Sequence, residues 1–196
     1  MVYWIAHYII VLITKIFCPV VVHGIEHVPK KSGYILASNH LSNLDPMLLG
    51  VACGQRLSYV AKDSLFKNKI LKILLPQVGA FPIRRNRFDI GAIKEALRRL
   101  NKGGGTVIFP EGTRLAGEGK KRVQPGIGLL AVKGHVPIIP AHIEGSEKVL
   151  PPGANFLRCF RHRIHIAFGE PLFFLPDKTY PEIAVEVVQK IKSLSR

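Results

Sequence analysis

The chain has 196 residues, with 28 Lys and Arg against 13 Asp and Glu, for a formal net charge of +15. Hydrophobic residues make up 47% of the chain, which excludes a disordered basic tail and indicates one domain with its own core. A domain this apolar and this positive is typical of a protein with an anionic partner: a nucleic acid, an anionic membrane surface or a phosphorylated substrate.

The N-terminal segment is apolar and predicts a helix over residues 3–17, which Pro19 ends. Fifteen residues rise about 22 Å, less than the roughly 30 Å of a hydrocarbon core, so a membrane-spanning helix is not expected. Its polar side chains share one face, and the wide second face carries apolar residues and aromatics suited to a headgroup boundary. We interpret residues 1–18 as a short amphipathic helix lying in a membrane interface. The alternative is an ordinary N-terminal helix packed on the domain.

Residues 19–196 alternate between predicted strands and helices. Strands are predicted over residues 33–38, 57–61, 78–83, 106–109, 138–143 and 163–168. Helices are predicted over residues 46–51, 63–75 with Asp63 as its cap, 90–100 with Asp89 as its cap, 127–133 and 181–194. This alternation predicts a single α/β domain whose largely parallel mixed sheet is flanked by helices.

The three cysteines of the chain do not make a disulfide framework, because their odd count and wide spacing are typical of a reducing compartment. Cys159, His162 and His165 stand three residues apart, as metal ligands can. The segment around them alternates and predicts a strand, on which such neighbours point to opposite faces. We therefore expect no metal site there.

Polar residues follow the first predicted strand: Asn39 and His40, then a loop, then Asp45 and Pro46 at a helix start. His40 and Asp45 are five residues apart, so they can meet only if the chain turns between them. If they meet, Asp45 fixes the tautomer of His40, which can then act as a general base. The alternative is that Asp45 only caps the helix and His40 is a satisfied polar group at a strand end.

Three further blocks stand at strand ends or within strands. Residues 109–114 combine a glycine, which lets the backbone approach a ligand, with Thr and Arg, which bind phosphate; the alternative is a tight turn with a surface ion pair. Residues 79–85 bring two arginines to a strand end, and residues 136–140 could be plain core. Residues 82–122 hold eleven Lys or Arg and four acids, a net charge of +7. In α/β sheets, ligands bind at such strand-end loops.

The four blocks occur in the order and spacing found in one family. They are Asn39-His40-x4-Asp45, Gly79-x-Phe81-x-Ile83-x-Arg85, Phe109-Pro110-Glu111-Gly112-Thr113-Arg114 and Val136-Pro137-Ile138-Ile139-Pro140. In these motifs the chain resembles the glycerolipid acyltransferase family, and most of all its short bacterial 1-acyl-sn-glycerol-3-phosphate acyltransferases. The blocks span residues 39–140, and a looser likeness extends over about residues 20–185.

The resemblance implies transfer of a fatty acyl group from acyl-CoA or acyl carrier protein to the free glycerol hydroxyl of lysophosphatidate. The product would be phosphatidate, in phospholipid biosynthesis. His40 would take the proton from the acceptor hydroxyl, and Asp45 would orient His40. The implied substrate-binding residues are Arg84, Arg85, Glu111, Gly112, Thr113 and Arg114, supported by Asn39, Phe81 and Pro110. Family members often carry an acid where this chain has Arg84, so which arginine meets the phosphate is open.

The same resemblance implies no cofactor and no metal, since the thioester is the co-substrate. The expected partners are lysophosphatidate, the acyl donor and an anionic membrane surface. The enzyme would be peripheral or monotopic at the cytoplasmic face of the cell membrane. The motifs do not separate lysophosphatidate from glycerol-3-phosphate, another lysophospholipid or an ornithine lipid as acceptor.

The alternative from another class is a non-catalytic basic module that binds membrane or nucleic acid. Nucleic acid is disfavoured because the sequence has no helix-turn-helix, RNP or zinc-finger signature and no aromatics interleaved with its basic residues. A non-catalytic member of the family is disfavoured because both catalytic side chains, His40 and Asp45, are present.

Overall fold

The computed structural model describes residues 2–84, 89–112, 123–154, 156, 158 and 162–195. The strands in these ranges are β1 Val20–His23, β2 Tyr34–Ser38, β3 Leu57–Lys62, β4 Ala80–Ile83, β5 Gly105–Ile108, β6 Ile138–Glu144 and β7 Ile164–Phe168. The α-helices are α1 Val2–Phe17, α2 Asp45–Cys53, α3 Lys69–Gln77, α4 Ile90–Asn101, α5 Gly126–Gly134, α6 Ser146–Val149 and α7 Tyr180–Ser193. Short 3-10 turns cover Ile25–His27 and Asp63–Lys67.

The strands pair into one sheet in the order β1-β7-β6-β2-β5-β3-β4. Neighbours are parallel except β6 and β7, so β1 and β7 run opposite to the other five strands. The sheet is therefore largely parallel and mixed, as the alternation of elements predicted. β1, a four-residue strand at the sheet edge, was not predicted.

Two apolar clusters cover the two faces of the sheet. Leu48 and Leu49 of α2 belong to one cluster, and residues of α4, α5 and α7 belong to the other. β2 lies between them, with Tyr34 and Leu36 in the first cluster and Ile35 in the second. A strand buried on both faces carries an uninterrupted apolar run, and its first polar residues stand where it leaves the core. The carboxyl ends of β2, β5 and β6 meet at this edge of the sheet.

The predicted helix over residues 63–75 is wrong in its start. Asp63 begins the 3-10 turn, and α3 begins six residues later. Asn68 is extended, and its Oδ1 accepts from the backbone N–H of Ile70 and Leu71. A side chain that satisfies the free donors of a first turn sets a helix start there. Asp89 does cap α4, as predicted.

α1 packs on the domain with its polar face. Tyr3 and Thr14 are buried, and α1 lies against α2. The apolar and aromatic side chains of the other face are exposed; they are Trp4, Ile5, Tyr8, Ile9, Leu12 and Ile16. An ordinary domain helix buries its apolar face, so α1 presents the orientation expected of an interfacial helix. The division into residues 1–18 and 19–196 stays a prediction.

No helix among the described residues is long and apolar enough to cross a membrane. α1 has 16 residues.

Tyr3 ties α1 to the sheet, and we expect Tyr3→Phe to lower the free energy of unfolding by about 1–3 kcal/mol. Its hydroxyl donates to Gln55 O at 2.6 Å and accepts from Leu57 N at 3.2 Å, so Phe leaves both backbone groups without this partner. Urea denaturation measures the change. The matched control is Tyr8→Phe on the exposed side of the same helix, which should change stability by less than about 0.5 kcal/mol. Equal effects of the two substitutions would contradict this role for Tyr3.

Candidate active site

The chain leaves the sheet at Asn39, directly after β2. The Asn39 Nδ2 donates to Ile143 O at 2.8 Å, and Ile143 N donates to Asn39 Oδ1 at 2.8 Å. Ser38 is the last β2 residue in register with β6, opposite Ala141, so the Asn39 amide continues the pairing in place of backbone. Asn39 is buried, and both partner groups are satisfied by one side chain. This amide bridge fixes where the following loop begins.

His40 and Asp45 meet across that loop. His40 Nδ1 lies 2.9 Å from Asp45 Oδ2, and the same oxygen accepts from Leu41 N at 2.6 Å and Ser42 N at 2.8 Å. The Asp45 side chain is completely buried, whereas 14% of the His40 side chain is exposed. A carboxylate that accepts from two backbone N–H groups acts toward Nδ1 as an acceptor too. Nδ1 therefore carries the proton, and Nε2 is the basic nitrogen.

The capping alternative for Asp45 is wrong. The residue before α2 is Leu44, which is already helical and makes no side-chain cap. Asp45 is the first residue of α2, and its carboxylate points back into the loop toward His40. Ser42 is buried, and its Oγ donates to Leu150 O at 2.8 Å and accepts from Leu44 N at 3.3 Å. Ser42 thus shapes the turn, and its hydroxyl proton is committed to a backbone carbonyl.

Phe109 holds the other side of the imidazole. It follows β5, the neighbour of β2, and its ring stacks on His40 with centroids 4.0 Å apart and planes at 18°. Asp45 fixes one edge of His40 and Phe109 covers one face, so the ring is positioned from two directions. The sequence places Phe109 at the head of a motif block but assigns it no role at the site. Its place at the end of a strand next to β2 was the available signal.

The block after Phe109 forms a tight turn at the same sheet edge. Gly112 has φ 69°, which favours glycine, and its N–H donates to Phe109 O at 3.0 Å. Pro110 is buried, and its carbonyl accepts from Gln124 N at 2.9 Å. Glu111 is half-buried between them. Thr113 and Arg114 lie outside the described residues.

A cavity of about 220 Å³ opens beside this edge, between the strand ends and α7. It is lined by Ser38, Asn39, Leu41, Pro110, Glu111, His142, Ile143, Glu144, Val188, Ile191, Lys192 and Ser195. Burial lowers the pKa of His142, which favours its neutral imidazole, although Glu144 and Glu147 oppose the shift. His142 and Lys192 were not predicted, because no motif carries them. A second cavity, of about 290 Å³, adjoins Glu144, and neither cavity has His40 or Asp45 among its lining residues.

Arg84 is engaged in an ion pair at the start of α4. Its backbone N and its Nε donate to Asp89 Oδ2 at 3.0 and 3.1 Å, and Asp89 Oδ1 accepts from Ala92 N at 3.2 Å. The hydrogen bonds from Arg84 hold the pKa of Asp89 well below its usual range and raise the pKa of Arg84. Arg84 therefore anchors a helix cap, and a substrate phosphate would compete with Asp89 for it. Arg85 lies outside the described residues.

Phe81, predicted to support the site, is buried in the core. The guanidinium of Arg99 lies over its ring, 4.7 Å from the centroid, and donates to Gly79 O at 2.7 Å. Among the described residues, the aromatic or cation–π partner of Phe81 is Arg99, which is not a predicted site residue.

Among the described residues, no three His, Cys, Asp or Glu side chains are grouped to hold a metal ion. Cys159 lies outside these residues, so the expectation for Cys159, His162 and His165 stays a prediction.

Comparison with known proteins gives a consistent likeness. A family model described as acyltransferase matches residues 19–144. The chain is 30% identical over 180 residues to a 1-acyl-sn-glycerol-3-phosphate acyltransferase of Bacillus subtilis, covering 88% of this chain and 86% of that protein. It is 29% identical to a Streptococcus pneumoniae protein of the same name, covering 85% of this chain and 60% of that one. The relatives from Brassica napus and Arabidopsis thaliana chloroplasts are longer, and the chain spans 40% of each.

The fold also occurs in a solved structure. The crystal structure of the 1-acyl-sn-glycerophosphate acyltransferase from Thermotoga maritima superposes with a TM-score of 0.70 at 27% identity. The match covers 90% of this chain and 72% of that one.

The Asn39 bridge supports the site, and we expect Asn39→Ala to lower the free energy of unfolding by about 2–4 kcal/mol. The substitution removes two hydrogen bonds and leaves the N–H and C=O of buried Ile143 without this partner. The control is Asn43→Ala on the exposed part of the same loop, which should change stability by less than about 0.5 kcal/mol. Urea denaturation of both variants measures the difference, and a near-neutral Asn39→Ala would refute the bridge.

Proposed function

The chain belongs to the acyltransferase family, and we propose that it transfers a fatty acyl group from a thioester to the free hydroxyl of 1-acyl-glycerol-3-phosphate, giving phosphatidate. The acyl donor is acyl-CoA or acyl carrier protein. The observation that carries the proposal is the 2.9 Å contact of His40 Nδ1 with the buried Asp45 carboxylate at the carboxyl edge of the sheet. Relatives named 1-acyl-sn-glycerol-3-phosphate acyltransferase support this choice of acceptor.

In this mechanism the acceptor hydroxyl attacks the thioester carbonyl directly. His40 Nε2 takes the hydroxyl proton as the new C–O bond forms, and the Asp45 carboxylate stabilises the resulting imidazolium. The C–S bond then breaks, and the proton passes from His40 to the leaving thiolate. No acyl-enzyme is needed, and Ser42 has its hydroxyl committed to Leu150 O. The thioester is the co-substrate, and we propose no cofactor and no metal.

We assign the acceptor phosphate to Arg85 and to the loop of Glu111, Gly112, Thr113 and Arg114, as the family resemblance implies. The engagement of Arg84 with Asp89 supports Arg85 as the phosphate ligand of the pair. Guanidinium groups suit a phosphate because they donate two parallel hydrogen bonds.

We further propose that the enzyme acts as a peripheral or monotopic protein at the cytoplasmic face of the cell membrane, where its lipid acceptor resides. The exposed apolar face of α1 supports this location, since such a surface on a soluble domain is normally covered by a partner. The net charge of +15 favours an anionic lipid surface.

We expect His40→Gln to lower kcat by about a hundredfold to ten-thousandfold, the usual contribution of a general base. Thiol release from acyl-CoA, and separately from acyl carrier protein, measures turnover with lysophosphatidate as acceptor. Asp45→Asn removes the charge and keeps a carbonyl oxygen that can accept from Leu41 N and Ser42 N, so it should lower kcat with the fold retained.

Because the two residues act as a unit, the double variant His40→Gln/Asp45→Asn should turn over no more slowly than His40→Gln alone. Urea denaturation of each variant separates lost chemistry from lost folding. Normal turnover of a folded His40→Gln enzyme would sink the mechanism.

Two neighbouring arginines provide a matched pair. Arg85→Gln should raise the KM for lysophosphatidate about tenfold or more, because a charge-assisted contact to phosphate is lost, with little change in thermal stability. Arg84→Gln should lower the melting temperature by releasing Asp89 from the α4 cap, with a smaller change in that KM. The opposite pattern would assign the phosphate to Arg84.

The acceptor itself is tested by a series at fixed acyl-CoA: lysophosphatidate, glycerol-3-phosphate, another lysophospholipid and an ornithine lipid precursor. We expect the highest kcat/KM with lysophosphatidate. Faster turnover of another acceptor would keep the family chemistry and change the substrate.

A further inference from the structure

α3 has an apolar face that nothing in the described structure covers. Leu71 and Leu75 are half-buried against the protein, whereas Ile70 and Ile73 are 67% and 65% exposed. At 100° per residue, Ile70, Ile73 and Leu74 fall within an arc of about 100°, turned away from Leu71 and Leu75. No residue of α3 is fully buried. α3 is thus a short helix with two apolar sides, of which the protein uses one.

α3 and α1 lie on the same face of the sheet. The chain moves in the same direction across the sheet from β2 to β3 through α2 and from β3 to β4 through α3. Right-handed crossovers therefore put α2 and α3 on one face of the sheet, and α1 packs against α2 on that face. Arg56 contacts both α1 and α3. Its guanidinium lies over the Tyr3 ring of α1 at 5.5 Å and donates to Gln77 O at the end of α3 at 3.3 Å.

The charge on α3 itself is of one sign, and the nearest acid before it in sequence is Asp63 at the start of the 3-10 turn. Lys67, Lys69 and Lys72 are exposed, and at 100° per residue Lys69 falls next to Ile73 at the edge of the apolar arc. The sequence has no Asp or Glu between Asp63 and Asp89. Lysines that flank an exposed apolar stripe can reach lipid phosphates while the stripe enters the headgroup region.

We propose that α3 is a second membrane-docking element, which inserts Ile70, Ile73 and Leu74 into an anionic lipid surface alongside α1. α1 alone offers apolar area but little charge: Lys15 is the one Lys, Arg, Asp or Glu in residues 1–22. Lys69 and Lys72 of α3, with Lys67 just before it, supply the cationic contacts that make docking selective for anionic lipid. Single weak anchors bind reversibly, and two elements on one face bind together with a fixed orientation.

An acidic protein such as acyl carrier protein could also meet the lysines. The exposed isoleucines of α3 favour lipid, because a protein partner recognised by charge alone would make no use of exposed apolar side chains. A second copy of the chain is disfavoured by the repulsion between two such lysine clusters.

Binding to vesicles tests the proposal without turnover. This inference rests on the proposed membrane location, and a failure here leaves the acyl transfer assay, run with detergent-dispersed lysophosphatidate, unaffected. The full chain is co-sedimented with vesicles of phosphatidylcholine and phosphatidylglycerol in equal parts, and with phosphatidylcholine alone. We expect Ile70→Gln/Ile73→Gln to weaken binding to the anionic vesicles about tenfold.

The matched control is Val185→Gln/Leu175→Gln, which removes two exposed apolar side chains outside α1 and α3 and should bind like the unchanged chain. Lys67→Gln/Lys69→Gln/Lys72→Gln should lower affinity for anionic vesicles about a hundredfold and leave binding to phosphatidylcholine nearly unchanged.

A fluorescence experiment reports insertion directly, because Trp4 is the single tryptophan of the chain. In Trp4→Phe/Ile73→Trp, brominated lipids in the anionic vesicles should quench the new indole and its emission should shift to the blue. The control Trp4→Phe/Val185→Trp should be quenched little. An unquenched Trp at position 73 in vesicle-bound protein would overturn the proposal. So would lysine variants that no longer bind acyl carrier protein but still bind anionic vesicles like the unchanged chain.

Discussion

One buried carboxylate oxygen organises the candidate site. Asp45 Oδ2 accepts from two backbone N–H groups of the loop and from His40 Nδ1, so a single anion closes the loop and sets the tautomer of the base. An ionised carboxylate without such donors would be costly at zero exposure. The loop conformation and the position of the Asp45 carboxylate therefore depend on each other, and the arrangement is preorganised before any substrate binds.

The elements around this interaction hold it from independent directions. Asn39 binds the start of the loop to β6, Ser42 binds its middle to Leu150, and Phe109, directly after β5, covers the imidazole face. These contacts come from residues that are far from the loop in sequence. A general base held in this way loses little freedom when the acceptor hydroxyl arrives, which is the condition for efficient proton transfer.

The basic residues of the chain fall into groups with different roles. Arg84 is paired with Asp89 at a helix cap, and Arg98 and Arg99 hold Glu95 on α4 with its pKa at about 2. Lys69 and Lys72 of α3 lie in a stretch without acids between Asp63 and Asp89, on the same helix as the exposed isoleucines. Together with the outward apolar face of α1, they give one side of the sheet the character of a lipid-facing surface, while the opposite side carries α4, α5 and α7.

The sequence alone determined the α/β alternation, the helix over α1 with its two faces, the Asp89 cap and the order of the four blocks. These features depend on periodicity and near neighbours, which the chain carries locally. The tertiary structure decided that Asp45 turns back to His40 instead of capping α2, that Phe109 stacks on the base and that Asp89 occupies Arg84. It also decided which face of α1 points outward and that α3 keeps a second apolar side. Those outcomes are contacts or exposures set by how distant segments pack, and no local pattern contains them. Arg85, Thr113 and Arg114 stay predictions from the motifs.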